Sequence, residues 1–294
     1  MHLFIVNPVA GKGHTLKIIP DIQALMEKHS LPYKIEITKA PGHATDIAKE
    51  YVKDGKDLRI YAVGGDGTLN EVLQGVVGSE ACLGIIPAGT GNDFIKSFCA
   101  IRDPLKLLPF VVHADPVPVD VCKINDRYFL NIASAGFDAD VVASTQRLKR
   151  LPAMKGKIAY IGGILLSLIH KKNIQATFVL DDETIVMKSL LLAAFANGRF
   201  YGGGMSPAPN AQPDDGFLDI CLIEGMSRLK ILMFFPRLIK GTHTHMREVT
   251  LRRCRSITME SPHPVHVNAD GELFQSTRAE IRLIPKGLQF IKPL

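Results

Sequence analysis

The first 115 residues repeat one unit: a short apolar run, a loop, then a stretch with apolar residues at helical spacing. The runs are "HLFIVN", "YKIEIT", "LRIYAV" and "CLGIIP". Between the first two, Ile18, Ile19, Ile22, Leu25 and Met26 carry the 3.6-residue period, which predicts a helix over about 15–29. A second helix is expected over "PGHATDIAKEYVKDG", closed by Gly55, and a third through "LNEVLQGVV". Near-continuous apolar strands that alternate with helices build a parallel sheet covered on both faces. The first half is therefore read as a doubly wound α/β domain.

Past residue 115 the period changes. Short strand candidates follow one another, among them "VPVDVCKI", "YFLNIASAG", "NIQATFVLD", "TIVMKSLLLAAFAN" and "FLDICLIE", separated by turn residues. Two helical interruptions stand out, over 140–169 and about 227–240. The expected design is an α/β domain over 1–117 and a β-sandwich domain over 118–294, with room for the extreme C-terminus to pack back on the first. The boundary falls in "HADPVPVD".

In an open parallel sheet, ligands bind at the carboxyl ends of the strands. Three loops stand there. "NPVAGKG", Asn7 to Gly13, offers open backbone and the free amides of a helix start. It is no Walker loop, because residue 13 is glycine where that motif needs Ser or Thr. "GGDGTLN", Gly64 to Asn70, has glycines at 64, 65 and 67, with Asp66 and Thr68 among them. Its amides suit phosphate oxygens and Thr68 adds a hydroxyl. Asp66 would repel a phosphate, so it acts through Mg²⁺ or on a hydroxyl. The bland reading is a tight turn with an N-cap. "PAGTGNDF" follows the next strand and adds Thr90, Asn92 and Asp93 to the same edge. Downstream, "NAQPDDGFLDI" holds Asp214 and Asp215, and "VNADGELF" holds Asp270 and Glu272. Each reads alone as a hairpin turn. If the two domains face each other across a cleft, Glu272 is the candidate base for a hydroxyl proton.

The net charge of +6 suits an anionic partner. The absence of tryptophan and of any known module argues against nucleic acid. Five cysteines without CxxC spacing argue for reduced thiols and against a zinc site. "MHLFIVNP" lacks the features of a signal peptide, and the longest nearly unbroken apolar stretch, 158–169, is too short to span a bilayer. The expectation is a cytoplasmic protein, soluble or peripheral to the membrane.

Together these motifs resemble the catalytic domain of the diacylglycerol kinase family, in particular the soluble bacterial diacylglycerol kinases, and more distantly sphingosine and ceramide kinases. The resemblance runs in order through "NPVAGKG", Thr38, "GGDGTLNEV", "PAGTGNDF", "SAGFDADV", "NGRFYGGGMSPAPNAQPDDGFLDI" and "NADGEL". "GGDGT" alone is shared with NAD kinases; the later motifs narrow it. The resemblance implies transfer from ATP, with Mg²⁺, to a lipid hydroxyl, diacylglycerol first among candidates. It implies ATP contacts at Asn7, Pro8, Val9, Ala10, Gly11, Thr38, Gly64, Gly65, Asp66, Gly67, Thr68, Leu69, Asn70 and Thr90. It implies Glu272 as proton acceptor, with Asp66 and Asp270 beside it, and a homodimer. It also implies a structural Mg²⁺ at Asp215 with the carbonyls of Gln212 and Phe217, although Asp214 is adjacent. Where the family often has Ala-Arg after "NDF", this chain has Ile95-Lys96, which keeps one positive charge nearby. An NAD kinase-like enzyme and a non-catalytic nucleotide sensor are the rival readings.

A kinase of this kind must reach lipid. Residues 145–157 carry five basic residues and no acid, and 227–256 carry eight against one Glu. These stretches suit contact with an anionic membrane. The alternative is that Leu229, Leu232, Met233 and Pro236 pack on the core while the charges are solvated.

Overall fold

The computed structural model describes residues 1–54, 57–101, 103–151, 156–171, 174–181 and 183–292; Gly55, and residues 152–155 of the first basic stretch, lie outside the described residues. In the first domain β1 (His2–Val6) leads to α1 (His14–Lys28), β2 (Tyr33–Ile37) to α2 (His43–Asp54), and β3 (Arg59–Gly64) to α3 (Asp66–Val76). β4 (Cys82–Pro87) leads through a 3-10 turn at Phe94–Ser97 to α4 (Pro104–His113). The strands lie in the order β2-β1-β3-β4 and all run parallel. β1 and β3 are buried along almost their whole length, as their apolar runs require.

α4 is not marked by the periodicity, and two prolines hide it. Pro104 sits in the first turn, where its missing N–H costs nothing, and Asp103 caps the helix by accepting from Leu105 N at 3.0 Å. Pro109 stands inside the helix, but burial of Leu107, Leu108, Val111 and Val112 holds it in place.

The second domain begins with β5 (Pro116–Ile124), β6 (Arg127–Phe129) and β7 (Ile132–Gly136), followed by α5 (Phe137–Lys149) and α6 (Gly156–Ile169). It continues with β8 (Ile174–Leu180), β9 (Glu183–Ala196), β10 (Leu218–Glu224), α7 (Arg228–Lys240), β11 (Val249–Cys254), β12 (Ser256–Ala269) and β13 (Glu272–Ile291). These strands pair antiparallel and enclose a sandwich core that includes Phe178, Phe195, Met259 and Ile281. The other face of β7, β9 and β10 is covered by the helices, through Phe137, Ile231, Phe234 and Leu238. The run "YFLNIASAG" is not one strand: it breaks at Leu130 and Asn131, whose amides turn to the Asp270 carboxylate. α7 has the bounds its sequence suggests, because Ser227 Oγ accepts from Lys230 N at 3.3 Å and Gly241 closes it with φ 69°.

β13 joins the two halves. It pairs antiparallel with β12 and β5, then runs parallel to β4 through Gln289–Cys82 and Phe290–Leu83. Phe290 is fully buried in the first domain, edge-on to Phe94 at 5.2 Å and stacked on Phe98 at 5.4 Å. The hydrogen-bonded network is therefore continuous across both domains.

Candidate active site

The loops after β1, β3 and β4 leave one sheet edge side by side, and missing side chains let them touch. Gly11 has φ 56°, and a Cβ there would strike the Ala88 carbonyl. A Cβ on Gly89 would strike the backbone of Gly65. The space a Cβ would take at Gly64 is filled by the Thr68 side chain, whose Oγ1 accepts from Asn7 Nδ2 at 3.0 Å. The glycines are thus needed for contact between loops as well as for approach of a ligand.

Asp66 opens α3 and binds the neighbouring loop. Its Oδ1 accepts from Asp93 N at 2.7 Å and from Phe94 N at 3.2 Å. Burial raises its pKa above the usual carboxylate range, and the charge of Asp93 adds to this, against the pull of the two amides. Asp93 in turn pairs with Lys96 and accepts from Gly203 N at 2.7 Å, so the "FYGGGM" loop of the second domain is pinned to the first.

Facing these loops is the β12–β13 hairpin. Asp270 and Gly271 form its tight turn, both at positive φ (47° and 99°). Asp270 Oδ2 accepts from Leu130 N at 2.8 Å and Asn131 N at 3.2 Å, and Oδ1 from Ile132 N at 3.0 Å. Burial pushes its pKa up to about 6 despite these three donors, and the nearby Asp66 charge acts the same way. Glu272 follows on the lip, half exposed, with Oε2 paired to Arg127 Nη1 at 3.0 Å. Arg127 carries no signal in the sequence; only the fold brings it to Glu272.

The two walls enclose a cleft of about 740 Å³. Asn7, Val9, Ala10, Gly11, Gly65, Asp66, Gly67, Thr68 and Thr90 line it from the first domain, and Asp270 and Glu272 from the second. A side pocket of about 170 Å³ shares Asn7, Val9 and Thr68 and adds Pro8 and Thr38. Gly64, Leu69 and Asn70 line neither space. Leu69 belongs to the core, and Asn70 Nδ2 donates to the Tyr128 carbonyl at 3.2 Å, across the domain boundary.

Asp215 lies away from the cleft, in a separate pocket with Gln212 and Asp219. Its Oδ1 accepts from Phe217 N at 3.1 Å and its other oxygen pairs with Arg253. Asp214 is exposed and does not line that pocket. Asp219 Oδ2 is buried without a hydrogen-bond partner, and burial lifts its pKa to about 6. Arg253 also approaches Asp219 Oδ1 at 3.6 Å and lies over the Phe217 ring at 4.7 Å, so its guanidinium already serves both carboxylates and a cation would bind here only by displacing it. Among the described residues no group of three or more His, Cys, Asp or Glu side chains is arranged to hold a metal.

Two further acids had no role in the sequence reading. Asp120 is fully buried and accepts from Gly216 N at 2.7 Å and Lys286 N at 2.8 Å, which ties the Asp215 turn to β13. Asp138, within "SAGFDADV", is buried at the start of α5, next to the cleft-lining Tyr201. The hydroxyls of Ser134 and Tyr201 lean toward its carboxylate, but none of these atoms completes a well-aligned hydrogen bond. Burial pushes the Asp138 pKa up to about 6.

A glycine-loop α/β domain that faces a β-sandwich across an acidic cleft is the form of a two-domain nucleotide-dependent kinase. Residues 1–124 match the diacylglycerol kinase catalytic domain, and residues 131–292 match the YegS C-terminal NAD kinase beta sandwich-like domain. The chain is 33% identical to a diacylglycerol kinase of Mycobacterium tuberculosis (strain H37Rv), over 98% of this chain and 94% of that protein. It is 30% identical to a diacylglycerol kinase of Staphylococcus saprophyticus, over 91% of this chain and 87% of that protein. A diacylglycerol kinase structure from Bacillus anthracis str. Sterne shares the fold, with a TM-score of 0.73 at 24% identity over 99% of this chain and 96% of that one. The chain belongs to the diacylglycerol kinase catalytic-domain family and is a lipid kinase.

Proposed function

We propose that the protein transfers the γ-phosphoryl group of Mg²⁺-ATP to the free hydroxyl of diacylglycerol and so forms phosphatidic acid. The observation that carries this reading is the convergence of three glycine loops from one domain and the Asp270-Gly271-Glu272 turn from the other on a single cleft. The names of the relatives support diacylglycerol as acceptor.

In this reading the amides of Gly65 to Thr68 and of the Gly11 and Gly89 loops bind the phosphates, with Thr68 and Thr90 as hydroxyl donors. The side pocket beside Thr38 takes the nucleoside. Magnesium, when bound with the nucleotide, neutralises charge on the phosphates. Asp215 and the carbonyls of Gln212 and Phe217 would be the groups to hold a second cation, which would steady the turn ahead of β10 once Arg253 moved aside.

The hydrogen bonds support different roles for the carboxylates in this reading. Both Asp270 oxygens hold backbone amides, and Asp66 Oδ1 holds two. Asp93 is tied to Lys96 and Gly203. Among the described residues the Glu272 side chain is held by an exposed ion pair with Arg127 alone, which is worth little in water. It is therefore the group able to swing onto an acceptor hydroxyl and take its proton as the P–O bond forms. Asp66 and Asp270 act as positioning residues that fix the loops on either side.

The test is a labelled-ATP assay against a lipid panel and NAD, for wild type and Glu272→Gln. The expected result is Mg²⁺-dependent label in diacylglycerol, reduced about a hundredfold or more in the variant. Full activity in the variant would remove Glu272 from the role of base. Label in a different lipid alone would overturn the acceptor.

A further inference from the structure

The outward faces of α6 and α7 are apolar where water should make them polar. On α6, Ile158, Ile161, Leu165 and Ile169 recur at intervals of three and four, which sets them in one stripe, and Ile158 and Ile169 are each 62% exposed. The other side of the helix packs on α5, with Ala159 and Leu168 buried and Gly163 tight against Thr145. On α7, Leu229, Leu232, Met233 and Pro236 form a like stripe, with Leu229 68% and Met233 61% exposed. The inward face of α7 holds Ile231, Phe234 and Leu238. Both helices are thus apolar inside and out. Such a helix is at home in a protein core or against lipid, not in water.

The stripes meet. Arg228, at the start of α7, donates from Nε to the Leu168 carbonyl and from Nη2 to the Ile169 carbonyl, each at 2.9 Å. It thereby caps the C-terminal end of α6 and brings the Ile169 end of one stripe to the Leu229 end of the other. The surrounding charge is predominantly positive, although Glu248 pairs with Lys230 and Arg247. Residues 141–180 contain seven Lys or Arg and no acid, and residues 225–247 contain five and no acid. Arg147, Arg150 and Lys240 are exposed. The patch also flanks the cleft: α5, which α6 covers, contributes Val142 and Lys149 to the cleft wall. Among the described residues no helix is long and apolar enough to cross a membrane, so any insertion is shallow.

We propose that the joined outer faces of α6 and α7, rimmed by basic side chains, dock on an anionic lipid bilayer and set the cleft at its surface. This rests on the lipid-acceptor reading above. The excess of positive charge, with Arg147, Arg150 and Lys240 exposed, selects an anionic surface, and the apolar stripes select a bilayer over a soluble anion.

The test is co-sedimentation of the full chain, without ATP, with phosphatidylcholine vesicles that contain or lack phosphatidylglycerol. Wild type is expected to bind the anionic vesicles, less at high salt, and to bind pure phosphatidylcholine weakly. The double variants Leu229→Asp/Met233→Asp and Ile161→Asp/Leu165→Asp are expected to lose about tenfold or more in vesicle partitioning. Their thermal midpoints, and transfer to a short-chain diacylglycerol dispersed without vesicles, should remain those of wild type. Wild-type vesicle binding by both variants overturns the proposal. A change in oligomeric state by light scattering, with vesicle binding intact, assigns the face to a second copy of the chain and also overturns it. If no lipid accepts phosphate yet vesicle binding falls in the variants, the acceptor reading fails and the docking surface stands.

Discussion

Asp138 shows how one residue's chemistry depends on where it is buried. Its carboxyl has a pKa of about 6 in the fold, against an ordinary value of 3.8, because burial disfavours the charged form. A raised folded-state pKa means that the fold binds the proton more tightly than the unfolded chain does. The associated stability is full below about pH 4 and is lost as pH rises through about 6. Asp138→Asn should therefore stabilise the protein at pH 8, by about 3 kcal/mol if the whole shift is recovered, and have little effect near pH 4. Thermal melts of both proteins across that range check this; equal midpoints at pH 8 would show that the carboxylate is better satisfied than its surroundings indicate. In the sequence, "SAGFDADV" offered Asp138 and Asp140 without distinction. The helix start at Phe137 and the burial of the first turn of α5 separate them.

At the scale of elements, the glycine loops depend on strands far away in the chain. Phe94 follows the "GTGND" loop and meets Phe290 from the last strand. Phe290→Ala would leave a cavity in the first-domain core, at a cost of about 3–5 kcal/mol. Because Phe94 N also donates to Asp66, the substitution should also lower kcat, even though Phe290 lines no part of the cleft. Urea unfolding and steady-state kinetics on the same variant check both parts. The loops themselves were legible, because glycines beside an acid and a hydroxyl at a strand end have few other uses. α4 was not, because Asp103-Pro104 is a helix start that also reads as a turn, and Pro109 breaks the pattern.

At the scale of the molecule, the cleft exists only because the domains hold a fixed relation. Besides β13, α3 grips β6: Gln74 Nε2 donates to the Tyr128 carbonyl at 2.9 Å, and its Oε1 accepts from Tyr128 N at 3.0 Å. Gln74→Ala leaves the Tyr128 N–H without its acceptor and its carbonyl with only the Asn70 donor, and should cost about 1–3 kcal/mol. If this contact sets the approach of the walls, kcat/KM should fall by about tenfold although residue 74 is outside the cleft. Gln74→Glu, which keeps the acceptor and loses the donor, should fall between. Unchanged kinetics in Gln74→Ala would mean that β13 and the Asn70 and Asp93 contacts set the geometry without it.

The sequence by itself determined the parallel α/β start, the sandwich that follows, the glycine loops and the acidic hairpin, because strand period, helix period and turn chemistry are local. It also placed α7 to within about a residue, since the helical run there ends at local signals, Ser227 and Gly241. The tertiary structure decided which acids are committed and which are available. Asp66, Asp93, Asp120 and Asp270 each hold amides from distant segments, whereas among the described residues the Glu272 carboxylate meets only Arg127, itself 145 positions away. It also decided which side of α7 faces out. The alternative reading buried Leu229, Leu232, Met233 and Pro236, but these are exposed while Ile231, Phe234 and Leu238 are buried. A helix apolar on both faces gives no periodic sign of which face the core will take, so only the packing of the sandwich beneath it could choose.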